Sequence, residues 1–387
     1  MTQPESVLIV GASAAGLGTA EALRRHGYRG RLSLLDADPH LPYDRPPLSK
    51  QVLAGVWEPV RAQLRSGEQI QALGAEFVRG DPAVALDAAA RAVTTASGRK
   101  LDAEVLVIAT GLTPCRLPGQ DGLAGVHVLR GLDDALALRR DLTAARRLVV
   151  VGEGVLGAEV SATARTMGLE VTLAGLGRTL LGGQLGEVAG SMLGRMHAER
   201  GVRLRLGVPV DGLTGADGHV TGVRLATGEH LPADVVVVAI GSRPATGWLE
   251  GSGLPLGDGI ECDAHCRAAE GVYAVGDVAS FDHPRHGRLR LENRTNATEQ
   301  ARSVALGILG DHRPYSPIPY FWTDQYDIKI QGYGLPSPQA EMTIEDDDPA
   351  RGRFTALFRQ DGRVTGVLGW SMSKQARLLA TTHLSEE

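Results

Sequence analysis

Cysteine is nearly missing from this chain: Cys115, Cys262 and Cys266 are the only three in 387 residues. That count excludes a disulfide-stapled secreted fold and fits a reducing, cytoplasmic setting. Cys262 and Cys266 have CxxxC spacing, but no further ligands cluster with them in sequence, so they read as structural and not as a metal site. Aromatic residues make up only 4%, whereas glycine reaches 50 residues. This balance favours α/β architecture with many tight turns over an aromatic-rich all-β fold. A net charge of −5 leaves no electrostatic footprint for nucleic acid. The longest apolar runs, such as VVVVAIG at 235–241, suit buried strands and fall far short of a membrane span. The chain opens MTQPESVLIV and enters an apolar strand almost at once, with no signal-length apolar segment.

What the chain does contain is one pattern written twice. The apolar run 6–10 leads into GASAAG, a helix-like stretch to His26, and a second run at 31–35 that ends in DADP. Strand, glycine turn, helix and strand within about thirty residues is the grammar of a dinucleotide-binding βαβ unit. It returns at 148–151, followed by GEGVLG, a helix to Met167 and a strand at 170–173. The first glycine of each motif allows the tight turn, the second a close approach of backbone to pyrophosphate, and the third close helix–strand packing. The phosphates then sit on the helix N-terminus. Ser13 replaces the middle glycine of the first copy. VLVIATG ends in Thr110 and Gly111, VVVVAIG ends in Gly241, and GVYAVGDVA sets Gly276 before Asp277. An acid at the end of the second strand can accept two hydrogen bonds from a ribose diol. Asp36 and Asp38 both lie there, and spacing does not choose between them.

Residues 43–50 read YDRPPLSK and, with Pro42, place three prolines within six residues. Proline fixes φ and removes backbone donors, so the segment is neither helix interior nor central strand. It reads as a stiff loop that holds Arg45 and Lys50. The order of all these segments resembles the two-dinucleotide flavoprotein reductases related to glutathione reductase. The proline loop, LRGLDDALALR at 129–139, NATEQ at 296–300 and PYFWTDQYDIKIQ at 319–331 narrow the resemblance. They are similar to the FAD-dependent ferredoxin reductases that feed electrons to oxygenases, over nearly the whole chain.

The resemblance implies an α/β fold of two Rossmann-like dinucleotide-binding domains plus a smaller α+β C-terminal interface domain. Residues 1–113 with 241–316 would bind FAD, 114–240 would bind NAD(P)H, and 317–387 would form the interface domain. It implies FAD contacts from Gly11, Ser13, Ala14, Ala15 and Gly16, from Asp36 or Asp38, and from Arg45, Ala83, Thr110, Gly111, Arg130, Gly276, Asp277 and Thr295. Nucleotide contacts fall to Gly152, Gly154, Leu156, Gly157 and Arg178, and Gly241 is a further cofactor-binding position. Lys50 is expected to set a cation beside the flavin, where it stabilises the anionic reduced ring. Glu159 is expected to face the ring and pair with Lys50; these two are the expected catalytic residues. Trp322 is placed near the edge of the ring or on the partner face. The implied activity is hydride transfer from NADH or NADPH to FAD, then single-electron delivery to a [2Fe–2S] ferredoxin. The basic run HPRHGRLR at 283–290 is a candidate docking patch for that acidic partner. Such proteins occur as monomers and homodimers, with neither nucleic acid nor membrane as partner.

Several positions depart from the pattern. Ala174 and Gly175 stand where NADH-selective relatives place a glutamate, and Arg178 follows closely enough to meet a 2′-phosphate, so NADH and NADPH both stay open. Arg294 stands where many relatives have an aromatic or aliphatic residue. EDDD at 345–348 reads as a solvated turn. Residues 36–60 lack cysteine, which excludes the thiol-relay chemistry of the disulfide reductases and peroxidases of this fold. Two other readings are a flavoprotein acting directly on a quinone or radical, and a redox-sensing protein of the apoptosis-inducing-factor type. The intact proline loop, the short basic loop and the lack of a targeting segment favour the reductase.

Overall fold

The computed structural model describes residues 3–337 and 339–385. The chain divides into two compact units, Met1–Asp44 with Val60–Thr113 and Ser242–Pro317, and Arg45–Pro59 with Pro114–Gly241 and Ile318–Glu387.

The first unit is built on strand β1 (Ser6–Val10), helix α1 (Ala14–Arg25) and strand β2 (Arg31–Asp36). β1 lies in parallel register with Val10 opposite Leu35 on one side and Ile108 on the other. Val272–Ala274 extends the sheet beyond Val105–Ile108, and Glu76–Arg79 extends it beyond β2. All five residues of β1 are buried, as expected for a parallel strand covered on both faces. On one side α1 meets the helix Arg294–Ile308 so closely that a Cβ on Gly18 would lie 3.4 Å from that of Ala301.

The second unit repeats this plan with β3 (Arg147–Val151), α2 (Val155–Thr166) and β4 (Glu170–Gly175). Val151 lies opposite Ala174 and Val238, within a five-stranded sheet. The same unit carries a five-stranded antiparallel sheet running Tyr320–Gln325, Ile328–Gly334, Arg363–Trp370, Arg353–Gln360 and Glu341–Asp348. The helix Ser373–Leu384 covers it, burying Ala376 and Ala380 against Leu357 and Val367. This is the expected α/β architecture with a C-terminal antiparallel part.

Residues 45–50 of the proline loop belong to this unit and form a single 3₁₀ turn, Pro46–Ser49, with Leu48 N–H bonded to the Arg45 carbonyl at 2.9 Å. Thr163 Oγ1 donates to the Ser49 carbonyl at 2.7 Å and ties the turn to α2. The acidic run at 345–348 is not a turn: it ends the edge strand Glu341–Asp348, and Arg353 donates to Asp348 at 2.6 Å. Charges on an edge strand discourage pairing with another chain, which the sequence alone does not distinguish from a solvated loop. Among the described residues no helix is long and apolar enough to cross a membrane.

Candidate active site

The backbone of the first glycine turn is forced. Gly11 has φ of +97°, and a Cβ there would lie 2.3 Å from the Ala109 carbonyl oxygen; on Gly16 it would lie 1.8 Å from that of Gly11. No side chain fits either place. Ser13 caps α1 in extended geometry without a side-chain capping bond, and no acid stands in the first turn of the helix. Its leading N–H groups have no intrahelical carbonyl, and with the helix dipole they form a cradle suited to phosphate. That cradle, closed to any Cβ at Gly11 and Gly16, fits a dinucleotide.

The geometry separates the two candidate acids. Ala12 N–H donates to Asp36 Oδ2 at 2.8 Å and Asp38 N–H to Asp36 Oδ1 at 3.1 Å, so the Asp36 carboxylate stands at the mouth of the turn. Asp38 instead accepts from Tyr43 OH at 2.6 Å and from His40 N–H at 2.9 Å. Gly276, at φ +74°, comes so close to α1 that a Cβ would lie 2.9 Å from that of Ala15. This brings the backbone beside Asp277 against the start of the helix. Gln300 Oε1 accepts from Gly276 N–H at 2.7 Å, and Gln300 Nε2 donates to Cys266 Sγ at 3.2 Å. The NATEQ pattern therefore holds the Gly276–Asp277 corner in place, a role its sequence did not disclose. Burial pushes the Cys266 thiol up to about 12 and raises Cys262 as well; both are free and unreactive.

Elsewhere in this unit Thr110 Oγ1 donates to the Ala245 carbonyl at 3.0 Å, beside Gly111 at φ +69°, and Ala83 opens the strand Ala83–Asp87. Thr295 follows Arg294, which pairs with Asp44 at 2.7 Å, so the unusual arginine holds the first residues of the YDRPPLSK segment. The basic run is largely compensated: Arg288 pairs with Asp282, Arg290 with Asp258 and Glu292, and buried His283 donates to the Pro317 carbonyl. Arg285 and His286 are exposed.

The second glycine turn repeats the first. Gly152 has φ of +122° with a Cβ position 2.1 Å from the Ala239 oxygen, and a Cβ on Gly157 would lie 1.9 Å from the Gly152 oxygen. Gly154 faces open space, and Leu156 is half-buried. Cys115 N–H donates to the Gly241 carbonyl at 3.0 Å. The Arg130 and Gly131 N–H groups both donate to Asp134 Oδ2, which caps the helix Leu132–Ala144. Arg178 is exposed just past β4.

One buried cluster in the second unit unites the proline loop, α2 and the strand Tyr320–Gln325. Lys50 Nζ lies 2.7 Å from Glu159 Oε2, with 11% and 7% of the two side chains exposed. Ser49 Oγ donates to the same oxygen at 2.5 Å, and Thr323 Oγ1 donates to Glu159 Oε1 at 2.7 Å. Behind Thr323, Gln325 Nε2 donates to its hydroxyl at 3.2 Å, and buried His197 Nε2–H donates to Gln325 Oε1 at 2.7 Å. Burial holds His197 below the usual imidazole range. Trp322 completes the cluster, its ring 5.2 Å from Lys50 Nζ and 5.7 Å from Lys329 Nζ, within cation–π reach. The cluster brings together Lys50, Glu159 and Trp322, which the sequence reading names, with Ser49, Thr323, Gln325 and His197, which it does not. Only the FWTDQ spelling hinted at the second pair: alternate strand positions 323 and 325 share one face.

Two glycine-turn βαβ units and a charged pair beside an aromatic strand define a dinucleotide-dependent oxidoreductase. The family model described as pyridine nucleotide-disulphide oxidoreductase matches residues 5–301, and one described as reductase C-terminal matches 320–381. The ferredoxin reductase component of a chlorobenzene dioxygenase from Cupriavidus sp. (strain PS12) is 38% identical, over 94% of this chain and 88% of that protein. A crystal structure of a ferredoxin reductase from Rhodopseudomonas palustris superposes with a TM-score of 0.93 at 34% identity, covering 97% and 93% of the two chains. The covalent putidaredoxin reductase–putidaredoxin complex gives 0.92 at 31% identity, covering 99% and 94%. The chain belongs to the pyridine nucleotide-disulphide oxidoreductase family and, within it, to the ferredoxin reductases. FAD and NAD(P)H are the cofactors of this oxidoreductase.

Proposed function

We propose that this chain passes reducing equivalents from NAD(P)H through FAD to a [2Fe–2S] ferredoxin that serves a monooxygenase or dioxygenase. The observation that carries the reading is the buried Lys50–Glu159 pair beside Trp322. FAD, when bound, accepts the electron pair of a hydride and returns electrons singly, which matches a nicotinamide donor to an iron–sulfur acceptor. We assign residues 1–113 with 241–316 to FAD, 114–240 to NAD(P)H and 317–387 to the interface domain. The first turn and Asp36 hold the FAD pyrophosphate and adenosine ribose, and the second turn holds the nicotinamide nucleotide.

Lys50 supplies the positive charge that opposes the negative charge gained on reduction. Glu159 keeps Lys50 oriented. Because Ser49 and Thr323 also donate to Glu159, Lys50 can turn away from the carboxylate without leaving it bare in a buried site. Gln325 and His197 hold Thr323 in donating orientation. The ferredoxin meets a surface that includes the exposed Arg285 in the loop 283–290. The three free cysteines support a cytoplasmic setting.

The test is Lys50→Met in FAD-loaded protein. Reduction by NAD(P)H is expected to slow about a hundredfold with FAD still bound, since a preorganised charge of this kind contributes roughly 2.7 kcal/mol or more. An unchanged reduction rate removes Lys50 from the chemistry.

A further inference from the structure

We infer that Glu153 selects the nucleotide at the second glycine turn, and that it selects NADH over NADPH. This deepens the reading of that turn as the NAD(P)H site and rests on it.

Strand register makes the two turns directly comparable. Val10 lies opposite Leu35 and Val151 opposite Ala174, so Asp36 and Gly175 are the equivalent strand-end residues. Gly11 N–H donates to the Leu35 carbonyl and Gly152 N–H to the Ala174 carbonyl, each at 2.7 Å, so Ala12 and Glu153 are equivalent as well. The acid and the small residue have exchanged places. In the first turn the strand end supplies the carboxylate, which receives the Ala12 N–H. In the second the turn supplies it, and the strand end is bare.

The bare strand end is what makes room. A Cβ on Gly175 would lie 2.0 Å from Glu153 Oε2 and 2.8 Å from its Cδ, so the carboxylate occupies the space that a strand-end side chain would fill. Gly177 N–H donates to Oε1 at 2.9 Å and fixes the group there. A carboxylate in this place can accept hydrogen bonds from the vicinal hydroxyls of an adenosine ribose, as a strand-end acid does. A 2′-phosphate would bring two negative charges to the same point. Arg178 lies exposed beyond the strand end, where water and salt screen its attraction for that phosphate. The pinned carboxylate therefore dominates, and the missing strand-end acid does not signal NADPH.

The experiment measures binding without redox chemistry: calorimetric titration of the FAD-loaded protein with ADP-ribose and with 2′-phospho-ADP-ribose. The wild type is expected to prefer ADP-ribose by about tenfold or more, the range of a charge-assisted hydrogen bond. Glu153→Gln keeps an amide oxygen for Gly177 N–H and removes only the charge; the preference should vanish or reverse. Gly175→Ala, whose methyl would displace the carboxylate, should move the ratio the same way and serves if Glu153→Gln fails to fold. A wild-type preference for the phosphorylated ligand, or an unchanged ratio in Glu153→Gln, overturns the inference while the nucleotide site stands. Binding of neither ligand to the wild type overturns both the inference and the assignment of the site.

Discussion

The two glycine turns of this chain share a backbone and differ in where they keep a negative charge. Their obligatory glycines carry the same near-contacts to within about 0.2 Å: 2.3 against 2.1 Å for the first, 1.8 against 1.9 Å for the third. The acids, by contrast, stand on different elements, Asp36 on the strand and Glu153 in the turn. The helices differ in the same manner. Gly18 and Glu159 both lie two residues after the third glycine; one lets α1 pack against Ala301, the other carries the carboxylate that holds Lys50. Sterics thus fix the main chain of a dinucleotide turn, while the charge it presents can be supplied from any residue that reaches the same space.

The comparison breaks most sharply at the Gly18 and Glu159 positions. Glu159→Ala strands Lys50 in a buried site and is expected to cost about 3–5 kcal/mol, whereas Gly18→Ala should change stability by no more than about 1 kcal/mol, helix propensity offsetting the tight contact. Urea midpoints of the two variants measure the contrast. Next come the glycines themselves. Gly16→Ala and Gly157→Ala each drive a methyl into a carbonyl and should cost about 3 kcal/mol. Their ligands should separate them: Gly16→Ala is purified without flavin colour, while Gly157→Ala stays yellow and loses nucleotide binding. Smaller again is the effect of the acids on FAD. Asp36→Asn should weaken FAD by about 2 kcal/mol, or roughly thirtyfold, and Asp38→Asn much less, since Tyr43 and His40 already occupy that carboxylate; fluorescence titration of apoprotein reads both.

The smallest effect comes from His197, behind Glu159, which has no equivalent behind Gly18. Its folded pKa lies below the unfolded value of 6.5 because burial disfavours the charged ring. Below pH 6.5 the unfolded chain binds a proton that the folded chain refuses, so stability falls as pH drops and is unaffected above that value. The loss one unit lower is up to about 1.4 kcal/mol. Urea midpoints between pH 5 and 7 should slope in the wild type and flatten in His197→Gln.

Much of this was legible in sequence because backbone constraints leave a spelling. Gly11, Gly16, Gly152 and Gly157 announced the turns, and the prolines at 42, 46 and 47 announced a rigid segment presenting Lys50. What stayed hidden was whatever depends on two distant residues meeting. Asp36 and Asp38 were indistinguishable until Tyr43 OH was seen to take one of them. The gap at Gly175 looked like a missing acid, because nothing in GEGVLG says that Glu153 folds back over the strand end. Thr323, Gln325 and His197 read as ordinary polar residues, since their hydrogen bonds join segments more than a hundred residues apart. The run at 345–348 was misjudged because charge alone does not distinguish an edge strand from a loop.

The most direct test of the central claim is anaerobic stopped-flow reduction of the FAD-loaded protein by NADH, followed by mixing with a [2Fe–2S] ferredoxin. Rapid bleaching of the flavin and prompt reduction of the iron–sulfur protein are the expected result. Slow bleaching, or a reduced enzyme that passes electrons to a quinone and leaves the ferredoxin oxidised, would contradict it.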